Sequence, residues 1–247
     1  MREGYLECGR SSSTNSRATI TMRLLVISDL HGDLESAHQA ITQFRPDALL
    51  CCGDWGDADQ VSAEQLEVFP RLLPVFSTYG NHDPLAILPE LKNRDGSKVL
   101  LDQGEVRAFE NLRITAIGGI WAKSHKQPYY VTDEDVAEAT SHIVAQGPVD
   151  ILLTHGCPIG LADLTPKGNR GGQRCFLNAT HAISPRLHVC GHLHVAQERT
   201  LKDGRQVINA GATPDGSVVV IDAEPAHWSA RLESFRKPGG HVASQPS

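Results

Sequence analysis

No stretch of the 247 residues comes near the roughly 18 consecutive apolar residues that a membrane span requires. The first 21 residues lack the apolar centre of a secretory signal and read as a polar, disordered tail. Met22 directly precedes the first apolar run, so translation is expected to begin there. Positive charge is also scarce: 23 Lys and Arg stand against 29 Asp and Glu, a formal charge of −6. That balance argues against a nucleic-acid-coating surface, though not against a local basic pocket. The six cysteines form no C-x-x-C pair and no dense disulfide spacing. Cys51, Cys52 and Cys190 sit in strand-like runs as small hydrophobes, and a reducing cytoplasm is the expected compartment. No internal repeat or linker divides the chain. One domain is expected over 22–236, followed by a polar tail at 237–247.

What the chain does contain is an alternation. "RLLVIS" (23–28) reads as a strand and "LESAHQAITQF" (34–44) spaces its apolar residues as a helix does. "ALLCC" (48–52) is a second strand, followed by a helix over 61–73 that Pro70 must end or kink. "PVFSTY" (74–79) is a third strand, and "PLAILPELK" (84–92) begins another helix. This βαβαβ start predicts a parallel sheet with right-handed crossovers. Short runs over 98–121 suggest hairpins, helical spacing returns at 132–146, and "VDILLT" (149–154) is another buried strand. A Gly- and Pro-rich loop leads to a short helix near 173–183. The C-terminal part reads as strands, one hairpin turning at Asp203-Gly204.

Ligands of open α/β sheets bind beyond the carboxyl ends of the strands. Read only at those ends, the sequence gives Asp29 and His31, then Asp54, then Asn81-His82-Asp83, then His155, then His192 and His194. Carboxylate, amide and imidazole donors together suit Mn, Fe or Zn better than Mg or Ca. There are more of them than one tetrahedral zinc can use, so two bridged divalent ions are the economical reading.

In this order, these residues resemble the calcineurin-like metallophosphoesterase superfamily: D-x-H, G-D, G-N-H-D, a lone His after a strand, and G-H-x-H. The resemblance runs from about 23 to 221. It implies an α/β fold, a four-layer αββα sandwich of two mixed β-sheets. It also implies that Asp29, His31 and His194 hold one metal and Asn81, His155 and His192 the other, with Asp54 bridging. His82 would face the substrate phosphate and protonate the leaving oxygen, and Asp83 would orient His82. The implied chemistry is phosphate-ester hydrolysis by in-line attack of a metal-bridging hydroxide. On this reading the dications, rather than lysines, attract the anionic substrate.

Within the superfamily, "GDWGDAD" and "GNHD" differ from the G-D-x-V-D-R-G and G-N-H-E of protein phosphatases. The chain resembles most the small phosphodiesterases acting on cyclic or other nucleotide diesters. A phosphomonoesterase of nucleotides or sugar phosphates is the alternative. A non-catalytic scaffold of the same fold is disfavoured because every ligand position is filled. Lys167, Arg170 and Arg174 are candidates for a second phosphate or a leaving group, and Trp55 for stacking a base; surface charge and core packing are the competing readings. Asn209, in "VINAG", lies near a turn of related proteins but without its proline. A small phosphate ester is the expected partner; no membrane or stable nucleic-acid partner is expected.

Overall fold

In the computed structural model, residues 22–224 and 228–235 are described. The tails expected at 1–21 and 237–247 lie outside them. In chain order the elements begin with β1 (Met22–Ile27), α1 (Leu34–Phe44), β2 (Ala48–Cys51), α2 (Ala63–Leu66), α3 (Val68–Leu72) and β3 (Val75–Ser77). The middle holds β4 (Val106–Phe109), β5 (Leu112–Ile117), β6 (Ile120–Trp121), β7 (Tyr130–Val131), α4 (Asp133–Ala145) and β8 (Ile151–Thr154). It closes with α5 (Arg174–Ile183), β9 (Leu187–Cys190), β10 (Gln197–Thr200), β11 (Gln206–Asn209), β12 (Ser217–Ala223) and β13 (Trp228–Ser234).

Two mixed sheets result. One runs β13-β12-β1-β2-β3 and the other β10-β11-β9-β8-β5-β4. Within the first, β1, β2 and β3 are parallel; within the second, β5, β8, β9 and β11 are parallel. Alternation along each strand builds the layers, because successive side chains point to opposite faces. Leu24 and Val26 of β1 face Ile114, Leu153 and Val189 between the sheets. Leu25 and Ile27 face Ala37, Ala40 and Phe69 of the outer helices. On the far side, Leu152 packs with Val136, Ile143, Phe176 and Ala179 of α4 and α5. The αββα sandwich is therefore the fold.

Helix ends follow local chemistry. Asp33 caps α1 by accepting from Ser36 N, and Thr132 with Asp135 forms a capping box at α4. The helix expected over 61–73 is two pieces, and the break at Glu67 precedes Pro70. Pro70 has no N–H, and its ring crowds the carbonyl of Leu66 four residues earlier. The helix expected from 84 is a single 3₁₀ turn, Leu88–Glu90, because Pro89 interrupts the ladder in the same way. The expected hairpins form at β4–β5 and β10–β11.

Candidate metal centre

The carboxyl ends of β1, β2 and β3 in one sheet, and of β8 and β9 in the other, open on a common rim. Backbone hydrogen bonds lock the loops there to one another. Leu30 N and His31 N both donate to Asp54 O, at 2.8 and 3.1 Å, and Gly191 N donates to His155 O at 3.1 Å. Glycines permit this closeness. A β-carbon at Gly80 would fall 2.2 Å from Asp54 Oδ1, and one at Gly191 2.0 Å from Ser28 Oγ; neither position tolerates a side chain.

The side chains converge accordingly. His31 Nε2 and His194 Nε2 are 3.0 Å apart, and His194 Nε2 is 3.4 Å from Asp29 Oδ1. Asp54 Oδ2 lies 3.8 Å from His31 Nε2 and 3.3 Å from His155 Nε2, between the two halves of the site. The His192 ring centroid is 5.1 Å from that of His155. Asp29 is held by Ser28 Oγ at 2.6 Å and by His192 N at 3.0 Å. Asp29, His31, Asp54, His192 and His194 all have left-handed backbone, with φ between 47 and 69°. Each such non-glycine residue costs on the order of 1 kcal/mol or more, a cost tolerated where geometry matters.

The donors fit divalent ions. His155 Nδ1 lies 2.9 Å from Cys52 O, and that hydrogen bond fixes Nδ1 as the protonated nitrogen and turns Nε2 inward. His155 Nε2 and Asn81 Oδ1 are buried without a hydrogen-bond partner among the described residues. A buried amide oxygen without a donor, and a buried imidazole nitrogen that faces only a carboxylate at 3.3 Å, are what an ion-binding site leaves behind. Burial pushes His192 down to about 4, which favours the neutral imidazole a metal site needs. His31 is also lowered, by burial against the opposing pull of Asp54 and Asp29. Burial alone would raise Asp54; the facing His155 instead holds its carboxyl well below the usual range. Ligand atoms of Asp29, His31 and His194, and separately of Asp29, Asp54 and His155, lie within 4.8 Å of one another.

Comparison with known proteins agrees with this geometry. Residues 22–196 match the family model of the calcineurin-like phosphoesterases. The chain belongs to that family. It is 24% identical to a lariat debranching enzyme of Caenorhabditis elegans, over 71% of this chain and 48% of the relative. It is 26% identical to the uncharacterized protein MJ1162 of Methanocaldococcus jannaschii, over 70% of this chain and 80% of that one. The chain thus spans about half the length of the nematode enzyme it matches. Among solved structures, TT1561 of Thermus thermophilus superposes with a TM-score of 0.65 at 13% identity, covering 88% of this chain and all of that one. A dimetal phosphatase from Danio rerio superposes at 0.54 and 12% identity, over 87% and 99% of the two chains. Both share the fold. Calcineurin-like phosphoesterases use divalent metals, and this chain has the residues to hold them.

Around the family's ligand positions, the structure redraws several assignments. The carboxylate beside His82 is Asp57, whose oxygens lie 3.0 and 3.2 Å from His82 Nδ1. Asp83 does not orient His82. It is half-buried and accepts from Asp54 N, Trp55 N and Gly80 N at 2.6–2.8 Å, tying two loops together. Burial, with the nearby Asp54 charge, pushes Asp83 up to about 6. Sequence reading missed Asp57; its place three residues after Asp54 in "GDWGDAD" was the available signal.

Trp55 cannot stack a substrate base. It is only 2% exposed, its ring packs on Phe69, and its Nε1 donates to Ser77 Oγ at 2.9 Å. Arg170 is engaged in an ion pair with the fully buried Asp163. Arg174 opens α5 and lines a groove with Asp133 on the outer helical layer, away from the strand tips. Lys167 is exposed on the turn before Gly168. Arg170 and Arg174 therefore have other engagements, and no contact joins Lys167 to the candidate ligands among the described residues. Asn209 is structural: its Nδ2 donates to Gly191 O at 3.0 Å, and its Oδ1 accepts from Gly211 N. No helix among the described residues is long and apolar enough to cross a membrane.

Proposed function

We propose that this protein is a binuclear-metal phosphodiesterase acting on nucleotide or cyclic-nucleotide diesters. The carrying observation is the convergence of ligand atoms of Asp29, His31 and His194, and of Asp29, Asp54 and His155, each set within 4.8 Å, beside the family's ligand position Asn81, whose buried Oδ1 has no hydrogen-bond partner among the described residues. Asp29, His31 and His194 would hold one ion, Asn81, His155 and His192 the second, and Asp54 both. Bound there, a pair of dications supplies water activation and neutralises phosphoryl charge.

The chain's own residues supply the rest. Asp54 also accepts from His82 N at 2.7 Å, which fixes the His82 backbone against the centre. With Nδ1 committed to Asp57, His82 presents Nε2 to the leaving oxygen and delivers its proton there. A His82 nitrogen lies within 4.8 Å of His31 and Asp54 ligand atoms, so ligation is its competing role. The Asp57 contact fixes Nε2 as the inward-facing nitrogen, which suits the acid and a ligand alike, so the ion content of His82→Ala decides between the two roles. Similarity over about 70% of the chain to enzymes named for lariat debranching, a phosphodiester hydrolysis, supports the diester over the monoester.

The test is a substrate panel of mono- and diesters, cyclic nucleotides included, assayed with Mn²⁺ loaded. Diesters should exceed monoesters in kcat/KM. A wide margin for monoesters, or no turnover of either by protein shown to hold two ions, overturns the reading.

A further inference from the structure

Between the Tyr79 loop and α4 lies a cavity of about 390 Å³ that the chemistry above does not use. Its position follows from topology. Tyr79, on one wall, is two residues before the candidate ligand Asn81, and its carbonyl accepts from Gly119 N at 2.7 Å. A β-carbon at Gly118 would fall 2.3 Å from the Tyr79 ring, so the ring rests directly on the backbone that ends β5. That strand pairs in parallel with β8, Ile117 opposite Thr154, one residue short of His155. The Tyr79 wall of the cavity thus stands at the strand-tip rim, and the opposite wall runs along α4.

Its lining defines what it can take. Tyr79, Tyr130, His125 and His142 supply aromatic faces, Asp135 and Glu138 are acidic, and no Lys or Arg is among them. An anion is therefore disfavoured there, which excludes a second phosphate. Tyr130 is braced edge-on by Tyr129, with centroids 5.0 Å apart, so its ring is held before any ligand arrives. Tyr79 OH is steadied by Gln103 Nε2 at 3.3 Å. Asp135 is anchored through Oδ2, which accepts from Thr132 N and faces His125 Nε2, so it cannot offer both oxygens side by side to a ligand. Glu138, further along α4, has no partner among the described residues and keeps both oxygens free to accept.

We propose that this cavity receives the nucleobase of the diester, guanine before the others, with the phosphate at the metal centre; this rests on the phosphodiesterase reading above. Aromatic faces bind any base by stacking. Selection falls to Glu138. A carboxylate accepts two hydrogen bonds side by side, and guanine alone offers two adjacent N–H donors on its pairing edge. Adenine and cytosine set an acceptor nitrogen beside the donor, and uracil flanks its single N–H with carbonyls. Both mismatches leave a carboxylate facing a lone pair.

The full chain, loaded with Mn²⁺, is assayed on the four nucleoside 2′,3′-cyclic phosphates, with a base-free ribose cyclic phosphate as internal reference. The guanosine substrate should lead. Relative to the reference, Tyr130→Ala should raise KM for all four about 10-fold, the size typical of losing one base stack. Glu138→Gln should erase the guanine preference while keeping the stack. Equal losses on the base-free ester, or indifference to base identity in the parent protein, overturn the proposal. So does a parent preference for ammonium-bearing diesters that both variants lose, which would make the cavity a cation cage. Guanosine titrated by NMR into chelator-treated protein separates the two readings. Binding that the variants abolish, without any diester turnover, sinks the enzymatic reading and leaves the cavity assigned. Diester turnover without guanosine binding does the reverse.

Discussion

His82 Nδ1 lies 3.0 Å from Asp57 Oδ2, and the two residues come from the loops after β3 and β2, not from neighbouring turns of one loop. A carboxylate on the far nitrogen fixes the tautomer and aims the other nitrogen outward. His82→Ala should lower kcat about 10²- to 10⁴-fold, the usual worth of a positioned acid. Asp57→Asn should cost about 10-fold, in kcat more than in KM. Both variants should retain two ions by elemental analysis. Metal loss in His82→Ala would make His82 a ligand and remove it as the acid.

Among the described residues, Asp54 is the one carboxylate within 4 Å of both His31 and His155. Asp54→Asn keeps the shape and one acceptor oxygen but removes the charge that, on the proposed assignment, would neutralise two cations. Turnover should vanish and the affinity for both ions should fall, read by calorimetric titration with Mn²⁺, while the circular dichroism spectrum stays that of the parent. Retention of one ion at parental affinity would show that Asp54 serves a single site.

How much of this was legible beforehand depended on range in the chain. Strand alternation such as Leu24-Leu25-Val26-Ile27 needs only neighbours, so the layers could be read from period two. The candidate ligands were legible because each ends a strand. The pairing of His82 with Asp57 was not, since both Asp57 and Asp83 lie nearby in sequence and only the folded loops decide between them. Burial was equally hidden: Trp55 follows the candidate ligand Asp54 and looks available, yet Phe69 arrives from α3 to cover it. Arg170 looked free until Asp163, seven residues away, proved buried beneath it.

Asp163 gives a further expectation. Its side chain pairs with Arg170 and accepts from Gly172 N, while its carbonyl accepts from Gly171 N. Gly171 is where Leu193 packs: a β-carbon there would fall 2.8 Å from Leu193 Cδ2. Leu193 stands between His192 and His194. Asp163→Asn should therefore weaken Mn²⁺ binding about 10-fold without contacting the ion, again by calorimetry. Unchanged affinity alongside a lowered melting temperature would reduce Asp163 to a loop staple.

His188 should set a stability limit in acid. It is fully buried, with ring nitrogens 2.8 and 2.9 Å from the hydroxyls of Thr154 and Thr180, and burial pushes it down to about 3. The unfolded chain takes up this proton near the ordinary value of about 6.5. Between pH 6.5 and 3 the unfolded state thus binds more protons, and stability falls as the pH drops through that window. At roughly 1.4 kcal/mol for each pH step of one across that window, the loss amounts to a few kcal/mol. Urea midpoints measured across that range should decline, and His188→Gln should flatten the decline. A parallel slope in the variant would assign it to other groups.

The left-handed turns at Asp29, His31, Asp54, His192 and His194 carry one more implication. A scaffold that keeps five ordinary side chains in a conformation natural to glycine holds its candidate cation cradle under local backbone strain. Glycine at His31 or His194 would relax the chain and yield a sturdier molecule that no longer captures its ions. Selection for heat resistance alone would therefore erode this protein at its most useful points first.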